Sequence, residues 1–519
     1  MSYSQDWLNN TSSRKCLLAE ITVKNISSGA AVLENLYMST SGYLTTSSDV
    51  FFMPVISGGA EFTESMSLDG SISISYGDLE LLNPNGDLDK YLDSNKYIWV
   101  NGSINLYYGD PTWVSLNLAE VRVKFKQVFA GVISDVDSVN KGVLNVKLLD
   151  KLQRLNTPIT EAKLGPSGNW GANAQTNADS ITPIVFGEVF NMEPMLIDPS
   201  LLKYQVNTGV TEGIIEVRDN GVPVELDTFD ANTGILTLKY PPVGTVTCSV
   251  QGVRKYVGFP GNTATLFPNT YLNNNIAIIG LIATQYGLAS SALSLSDLDA
   301  QNLSAVASSI GRPIGVLVTD RENTLEVCNR LAASTRGQVF MTRSGLLQVL
   351  VIGTPTQDPV VEINSSYMIL GTFNISNRST VAAATKVGYA KNWTVQSGLV
   401  TAIPQQHKDN YATEWFSKTV TDTATKDTYK LTVDPVQIDT ALIRVVDAEY
   451  EAILRNNFSN VKHTVYSFTG TSRLLSLKLG QQVTLKYNRF GLDNGKACQV
   501  VSLKPNWLRG TVDIEAMTL

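Results

Sequence analysis

Only two histidines occur in the 519 residues, His407 and His463, and that scarcity bounds the chemistry open to the chain. A zinc or transition-metal site needs several nitrogen, sulfur or carboxylate donors at coordinated spacing. His407 follows Gln405-Gln406 in a polar stretch and His463 opens a predicted strand, so both are expected to face solvent or to bond locally. The four cysteines, Cys16, Cys248, Cys328 and Cys498, lie far apart, and no two share a metal-type spacing. They are expected to be buried free thiols, which suits assembly in a reducing cytoplasm. His-Glu-x-x-His, a Gly-x-Ser-x-Gly elbow and a Walker A sequence are all missing.

Carboxylates offer the remaining route to catalysis. Glycoside hydrolysis uses two of them roughly 5 to 10 Å apart in an open cleft. Asp78 and Glu80 are two residues apart at a predicted strand end and share one face. Asp87, Asp89 and Asp93 crowd the segment after Pro84 densely enough to suggest calcium, but the other positions and terminal Glu of an EF loop are lacking. Turn formation and helix capping account for these acids more simply. Tyr97, Trp99, Tyr107, Tyr108 and Trp113 form an aromatic cluster. Such a cluster serves as a sugar platform, a β-core or the anchor of a permanent interface; core or interface is the expectation. No catalytic, cofactor-binding or metal-binding residue is assigned, and no cofactor is expected.

The elements that would position these groups are mostly strands. Apolar residues make up 43% and charged residues 17%, with 38 glycines, a composition of turns and uncharged surface rather than of ionic surface. The net charge of −7 excludes a basic nucleic-acid groove, although it suits a wall along which DNA slides without sticking. No signal peptide opens the chain, and its longest apolar run, 276–283, falls short of the ~20 residues of a membrane span. Strict alternation marks strands at Ser71-Ile-Ser-Ile-Ser and Val121-Arg-Val-Lys-Phe-Lys. Asp219-Asn220-Gly221 predicts a hairpin with a type I′ turn, and Asp493-Asn494-Gly495 joins two further strands.

Five segments follow from this pattern. Residues 1–160 are predicted as an N-terminal β-barrel and 161–205 as an extended connector rich in Gly, Asn, Ser and Pro. Residues 206–255 form a small β-module, and 256–355 an α+β domain. Within the latter, 275–286 is a buried helix, and Thr319-Asp-Arg-Glu322 has the form of a capping box for a helix with Leu325, Cys328, Leu331 and Ala332 on its apolar stripe. Residues 356–519 are predicted as a C-terminal β-barrel with one long helix over 436–456, whose core face is Ile438, Leu442, Val445, Ala448 and Ala452. The fold class is therefore mainly β with an α+β insert. The chain ends almost on its last predicted strand, so a fibre or enzyme acting with it is expected on another chain.

Several stretches in order carry a resemblance. They are Tyr76-Gly-Asp-Leu-Glu-Leu-Leu-Asn-Pro-Asn-Gly, Phe129-Ala-Gly-Val-Ile-Ser-Asp with Val146-Lys-Leu-Leu-Asp, and Pro183-Ile-Val-Phe-Gly-Glu-Val-Phe. Ile310-Gly-Arg-Pro-Ile-Gly, Gly388-Tyr-Ala-Lys-Asn-Trp and the strands from Leu477 to the C-terminus complete the series. Together the chain resembles the tail-tip, or baseplate hub, proteins of long non-contractile-tailed bacteriophages. The resemblance implies two tail-tube-like barrels per subunit and a homotrimeric ring whose six barrels mimic a six-fold tube. It also implies a place in the virion at the tail tip, after assembly in the host cytoplasm. Expected partners are a distal-tail or tail-tube protein, a central fibre or tip protein and the tape-measure protein, with no sequence-specific nucleic acid. The implied role is structural and non-enzymatic: a hub that joins tube to tip and gates the DNA channel. The alternatives are a receptor- or carbohydrate-binding tail protein using the 97–113 aromatics, and a cell-wall glycosidase using the acids named above.

Overall fold

The computed structural model describes residues 3–10, 12–47, 49–67, 75–140, 142–164, 177, 179–254, 271–288 and 292–519. Strands take 42% and helices 19% of it. The chain divides into two compact units interleaved along the sequence. One comprises Met1–Arg154, Gln338–Ser379 and Lys462–Leu519; the other comprises Leu155–Gly337 and Thr380–Val461.

The first unit is built on one long sheet. Its hydrogen-bonded order runs Asn374–Arg378, Thr464–Gly470, Thr511–Thr518, Lys496–Asn506, Ile56–Ser65, Tyr76–Leu82, Val143–Asp150, Lys126–Asn140, Ser103–Gly109, Cys16–Asn25, Val32–Ser39, Phe51–Pro54 and Tyr43–Leu44. The expected blocks 1–160 and 356–519 are thus not two separate barrels. Strand Lys496–Asn506 pairs antiparallel with Ile56–Ser65, placing Leu503 opposite Glu64. The path does not close into a barrel among the described residues. The physical reason is a shared core: Phe62, Phe129 and Leu79 from the N-terminal block pack in one cluster with Trp507, Ile514 and Val500. Phe62 and Phe129 stack at 4.2 Å and 7°.

Among the described residues the second unit carries three smaller sheets. A five-stranded sheet orders Val222–Pro223, Thr211–Asp219, Val246–Val253, Ile184–Met192 and Gly315–Val318. A four-stranded sheet orders Met195–Asp198, Lys203–Gln205, Ile235–Leu238 and Leu226–Asp230, and Ala384–Tyr389 is the centre of a three-stranded one. Residues 184–205 are therefore not a connector. Ile184–Met192 is a mostly buried strand flanked on both sides, and its run of Val and Phe is the continuous apolar pattern of such a strand. The 206–255 module pairs with these strands instead of standing alone. Its hairpin turn is as expected, with Asn220 and Gly221 both at positive φ (48° and 85°).

Helix signals fail or shift in three places. Val121-Arg-Val-Lys-Phe is not a strand but lies at the end of helix Leu118–Lys124, which Asn117 caps by accepting from the Glu120 N–H. Val121 and Phe125, four apart, are buried, whereas Val123 is 81% exposed: helical spacing had mimicked alternation. The cap of helix Thr324–Ala333 is Asn323, not the predicted Thr319 box, while the stripe Leu325, Cys328, Leu331 and Ala332 is buried as expected. The long helix spans Val445–Ser459, and Gln437–Asp439 is a strand. Its inner face is Ala448, Glu451, Ala452 and Asn456, so Val445 and Ile438 are exposed instead. The expected strand Ser71-Ile-Ser-Ile-Ser lies outside the described residues.

Candidate functional site

The sheet of the first unit ends on the hairpin Phe51–Pro54/Tyr43–Leu44. An end strand offers unpaired backbone groups, a ready template for another chain. Leu44 and Phe51 face each other across this hairpin and are 55% and 51% exposed. Beyond Leu44 the chain runs beside 115–116, with Thr46 N–H donating to Ser115 O (3.0 Å) and Ser47 N–H to Leu116 O (2.9 Å). Val114, Leu116 and Val123 on this adjoining backbone are also exposed.

The underside of the patch is packed. Tyr43 O–H donates to Trp113 O at 2.6 Å in a buried bond, and the rings of Tyr43, Trp113 and Phe125 meet edge to face. Leu116 N–H donates to Glu120 (2.9 Å), which pairs with Lys124 at 3.0 Å. Hydrogen bonds from the Leu116 N–H and Lys124 hold the Glu120 carboxyl below the usual range. In the second unit, helix Val445–Ser459 also exposes Val446, Tyr450 and Ile453 at i, i+4 and i+7, with the Arg312 guanidinium over the Tyr450 ring.

The residues singled out for chemistry are not brought together. Trp99, Tyr107, Tyr108 and Trp113 are buried, with Trp99 Nε1–H donating to Tyr91 O at 2.7 Å, and only Tyr97 is half-exposed. Tyr107 and Tyr108 lie on the mostly buried strand Ser103–Gly109, and the four buried rings belong to the core of the unit. Burial pushes the Tyr107 hydroxyl up to about 12. Asp78 sits opposite Lys147 and Glu80 opposite Asn145 in the sheet. Burial first, and then the Glu61 charge, raises Asp78. Asn83 donates to Asp89 at 2.7 Å, and Asp93 pairs with Lys96 at 3.0 Å, as turn-forming acids do. His463 is buried, with Nδ1 at 2.7 Å from Thr518 O, and His407 is exposed on helix Gln405–Ala412. All four cysteines are free and buried, and burial pushes Cys328 and Cys498 up to about 12. Among the described residues no three metal-ligating side chains gather, and no helix is long and apolar enough to cross a membrane.

A cleft of about 550 Å³ in the second unit is lined by Asn191, Glu216, Arg218, Asn392, His407 and Tyr411, among others. Its polar groups are largely engaged with one another. Arg218 pairs with Glu216 at 2.7 Å and donates to Gly221 O at 2.9 Å, while Asn191 donates to Asn392 at 2.8 Å. This network fixes the cleft wall.

Comparison with known proteins returns tail proteins. The fold is similar to a 43 kDa tail protein of prophage MuSo2 from Shewanella oneidensis, at a TM-score of 0.40 and 10% identity over 96% of this chain and 98% of that one. It is similar at 0.40 and 9% identity to a tail protein from Neisseria meningitidis MC58, covering 96% of each chain. A chain of a native gene transfer agent virion gives 0.40 and 10% identity over 71% of this chain and 91% of its own. No family model matches the sequence, and no curated protein matches it.

The exposed edge at 44–51 and 114–123 escaped sequence reading. Its one signal was the out-of-phase Val123, which an assumed strand assigned to the core.

Proposed function

We propose that the chain is a structural subunit of a bacteriophage tail. Three copies form a hub ring at the tail tip that joins the tube or distal-tail ring to the fibre or tip and gates the DNA channel. The observation that carries this reading is the open sheet ending on an exposed apolar edge, Leu44, Phe51, Val114, Leu116 and Val123. Contiguous exposed apolar side chains on a packed underside mark protein interfaces. A ring closes through heterologous contacts, in which one surface meets a different surface of the next copy. An edge patch in one unit and a helix stripe in the other supply two such unlike surfaces. The sequence resemblance to hub proteins points the same way, and a net charge of −7 suits the wall of a channel for DNA.

The test is the oligomeric state of the purified full chain by light scattering, followed by imaging of particles. A trimer is expected, and Leu116→Glu with Val123→Glu is expected to leave melting and circular dichroism unchanged while shifting the trimer to monomer. A monomeric wild type at all concentrations refutes the ring, as does a position away from the tail tip or symmetry without a three-fold axis.

A further inference from the structure

The wall of the cleft of about 550 Å³ in the second unit holds more than its internal network uses. Four half-buried rings line it, Phe190, Tyr389, Tyr411 and Phe416. Tyr389 and Phe416 lie opposite each other on the paired strands Ala384–Tyr389 and Phe416–Thr421, their ring centroids 5.9 Å apart and tilted by 35°. The Arg218 guanidinium sits over Tyr411 at 5.4 Å, and Phe190 stacks on no other described ring. Ring surface is thus left open to the cleft.

The polar part of the wall is built with one group to spare. Asn191 and Ala390 both hold left-handed backbone, at φ 52° and 46°. Asn takes that conformation readily; in alanine it costs free energy, and strain of this kind gathers where ligands are held. Asn191 is only 5% exposed, and its amide NH2 donates to Asn392 Oδ1 at 2.8 Å and to Thr394 O at 2.7 Å. Asn392 is fixed in turn, since its own NH2 donates to Tyr411 O at 2.8 Å and Thr413 O at 3.2 Å. The Asn191 Oδ1 is therefore oriented as an acceptor, and no described residue donates to it. The charges of the wall cancel: among the described residues its one carboxylate, Glu216, pairs with its one guanidinium, Arg218, at 2.7 Å.

We propose that this cleft binds a neutral N-acetylated amino sugar. The C–H faces of a pyranose lie on aromatic planes, which the four rings supply. The acetamido N–H is the donor that Asn191 Oδ1 lacks, and the acetamido methyl lies against Ala390 and Ile443. Hydroxyls reach the Tyr389 O–H and the Asn410 amide, neither of which bonds another described side chain. A plain hexose brings a donor but no methyl for the apolar wall. A polyanion finds no cation that is not already paired with a carboxylate. An aliphatic side chain of a partner would bury Asn191 Oδ1 without a donor. The volume lies within the roughly 300 to 1,000 Å³ of small-ligand pockets.

Calorimetric titration of the full chain with N-acetylglucosamine, N-acetylgalactosamine, di-N-acetylchitobiose, glucose and N-acetyltryptophanamide tests this. Saturable binding of at least one N-acetylated sugar is expected, about ten-fold or more tighter than glucose. Phe416→Leu is expected to weaken it about ten-fold, the scale of one lost aromatic contact. Asn410→Ala, at an exposed residue without a side-chain bond, is expected to weaken it with thermal melting unchanged. No saturable binding of any N-acetylated sugar at millimolar concentration overturns the proposal, as does glucose binding equally well. Wild-type affinity in both variants overturns it by placing the sugar elsewhere. Tighter binding of N-acetyltryptophanamide than of every sugar overturns it by assigning the cleft to an aromatic side chain of a partner protein.

Discussion

Arg343 sits where three separated parts of the first unit meet, and its replacement by methionine tests how that unit is held. Its Nε lies 3.0 Å from Glu64 Oε2, and its other nitrogens donate to the carbonyls of Leu475 and Leu477. Its own carbonyl accepts from Ala130 N–H at 2.7 Å. Glu64 is buried on strand Ile56–Ser65, opposite Leu503. Burial raises its carboxyl above the ordinary range, and the Arg343 charge pulls it back down. In Arg343→Met the carboxylate is left buried without its cation, and the cheapest escape is to take up a proton. That escape caps the cost. Neutralising a carboxyl of ordinary pKa costs at most ~4 kcal/mol at pH 7 and ~1 kcal/mol at pH 5. The two forsaken carbonyls add about 1 to 2 kcal/mol at either pH. The sign follows from linkage. The variant's Glu64 has a folded pKa raised further above its unfolded value, so stability is fully present below that unfolded value and is lost as pH rises through the folded one. Hydrogen exchange of the amides in 496–506 reads the local free energy directly. The expected deficit against wild type is several kcal/mol at pH 7 and clearly smaller at pH 5, and adding Glu64→Gln is expected to restore most of the difference. A deficit independent of pH, or no recovery in the double variant, refutes the claim that an ion pair fastens this joint.

Two further outcomes are expected. Asp150 is buried and accepts from the Ser75 N–H at 2.6 Å and the Leu152 N–H at 2.8 Å, yet burial pushes its carboxyl up to about 7. Stability from this group is therefore complete below pH ~4 and lost as pH rises through about 7, by at most roughly 4 kcal/mol, and urea midpoints from pH 5 to 8 should fall accordingly; a midpoint that rises over that range refutes it. Gly187 has φ 71°, and a Cβ there would stand 1.8 Å from Ile314 O, so Gly187→Ala must part the strands Ile184–Met192 and Gly315–Val318. A loss above ~2 kcal/mol in exchange protection of residues 184–192 is expected, and wild-type protection refutes it.

What was legible in the sequence was local. Turn chemistry found the Asn220-Gly221 turn and the left-handed Gly495 because Asn and Gly accept that backbone almost regardless of surroundings. The buried helix Asn275–Gln285 was legible because apolar residues cover it on all sides. Long-range pairing left no such mark. Nothing in Lys496–Asn506 announces that its partner is Ile56–Ser65, more than 400 residues earlier, since a strand's alternation states which face is inward and not which strand lies beside it. The nesting of 380–461 within the second unit was hidden for the same reason.

The misreading of 121–125 is instructive about function as well as fold. As a strand, Val121, Val123 and Phe125 all belong to the core and leave no surface to explain. As a helix capped by Asn117, two of them anchor the turn and the third is 81% exposed beside Leu116 and Val114. An apolar side chain that its own helix cannot bury is retained at no benefit to the isolated subunit, and around an open sheet end it carries an aggregation risk. Sequences blunt such ends with charge or proline. This edge carries Pro54 at the end of its inner strand but keeps Leu44, Phe51 and Val123 exposed, and the nearby charges Glu120 and Lys124 pair with each other. An exposed apolar edge of this kind fits the proposed reading, in which a neighbouring subunit covers it.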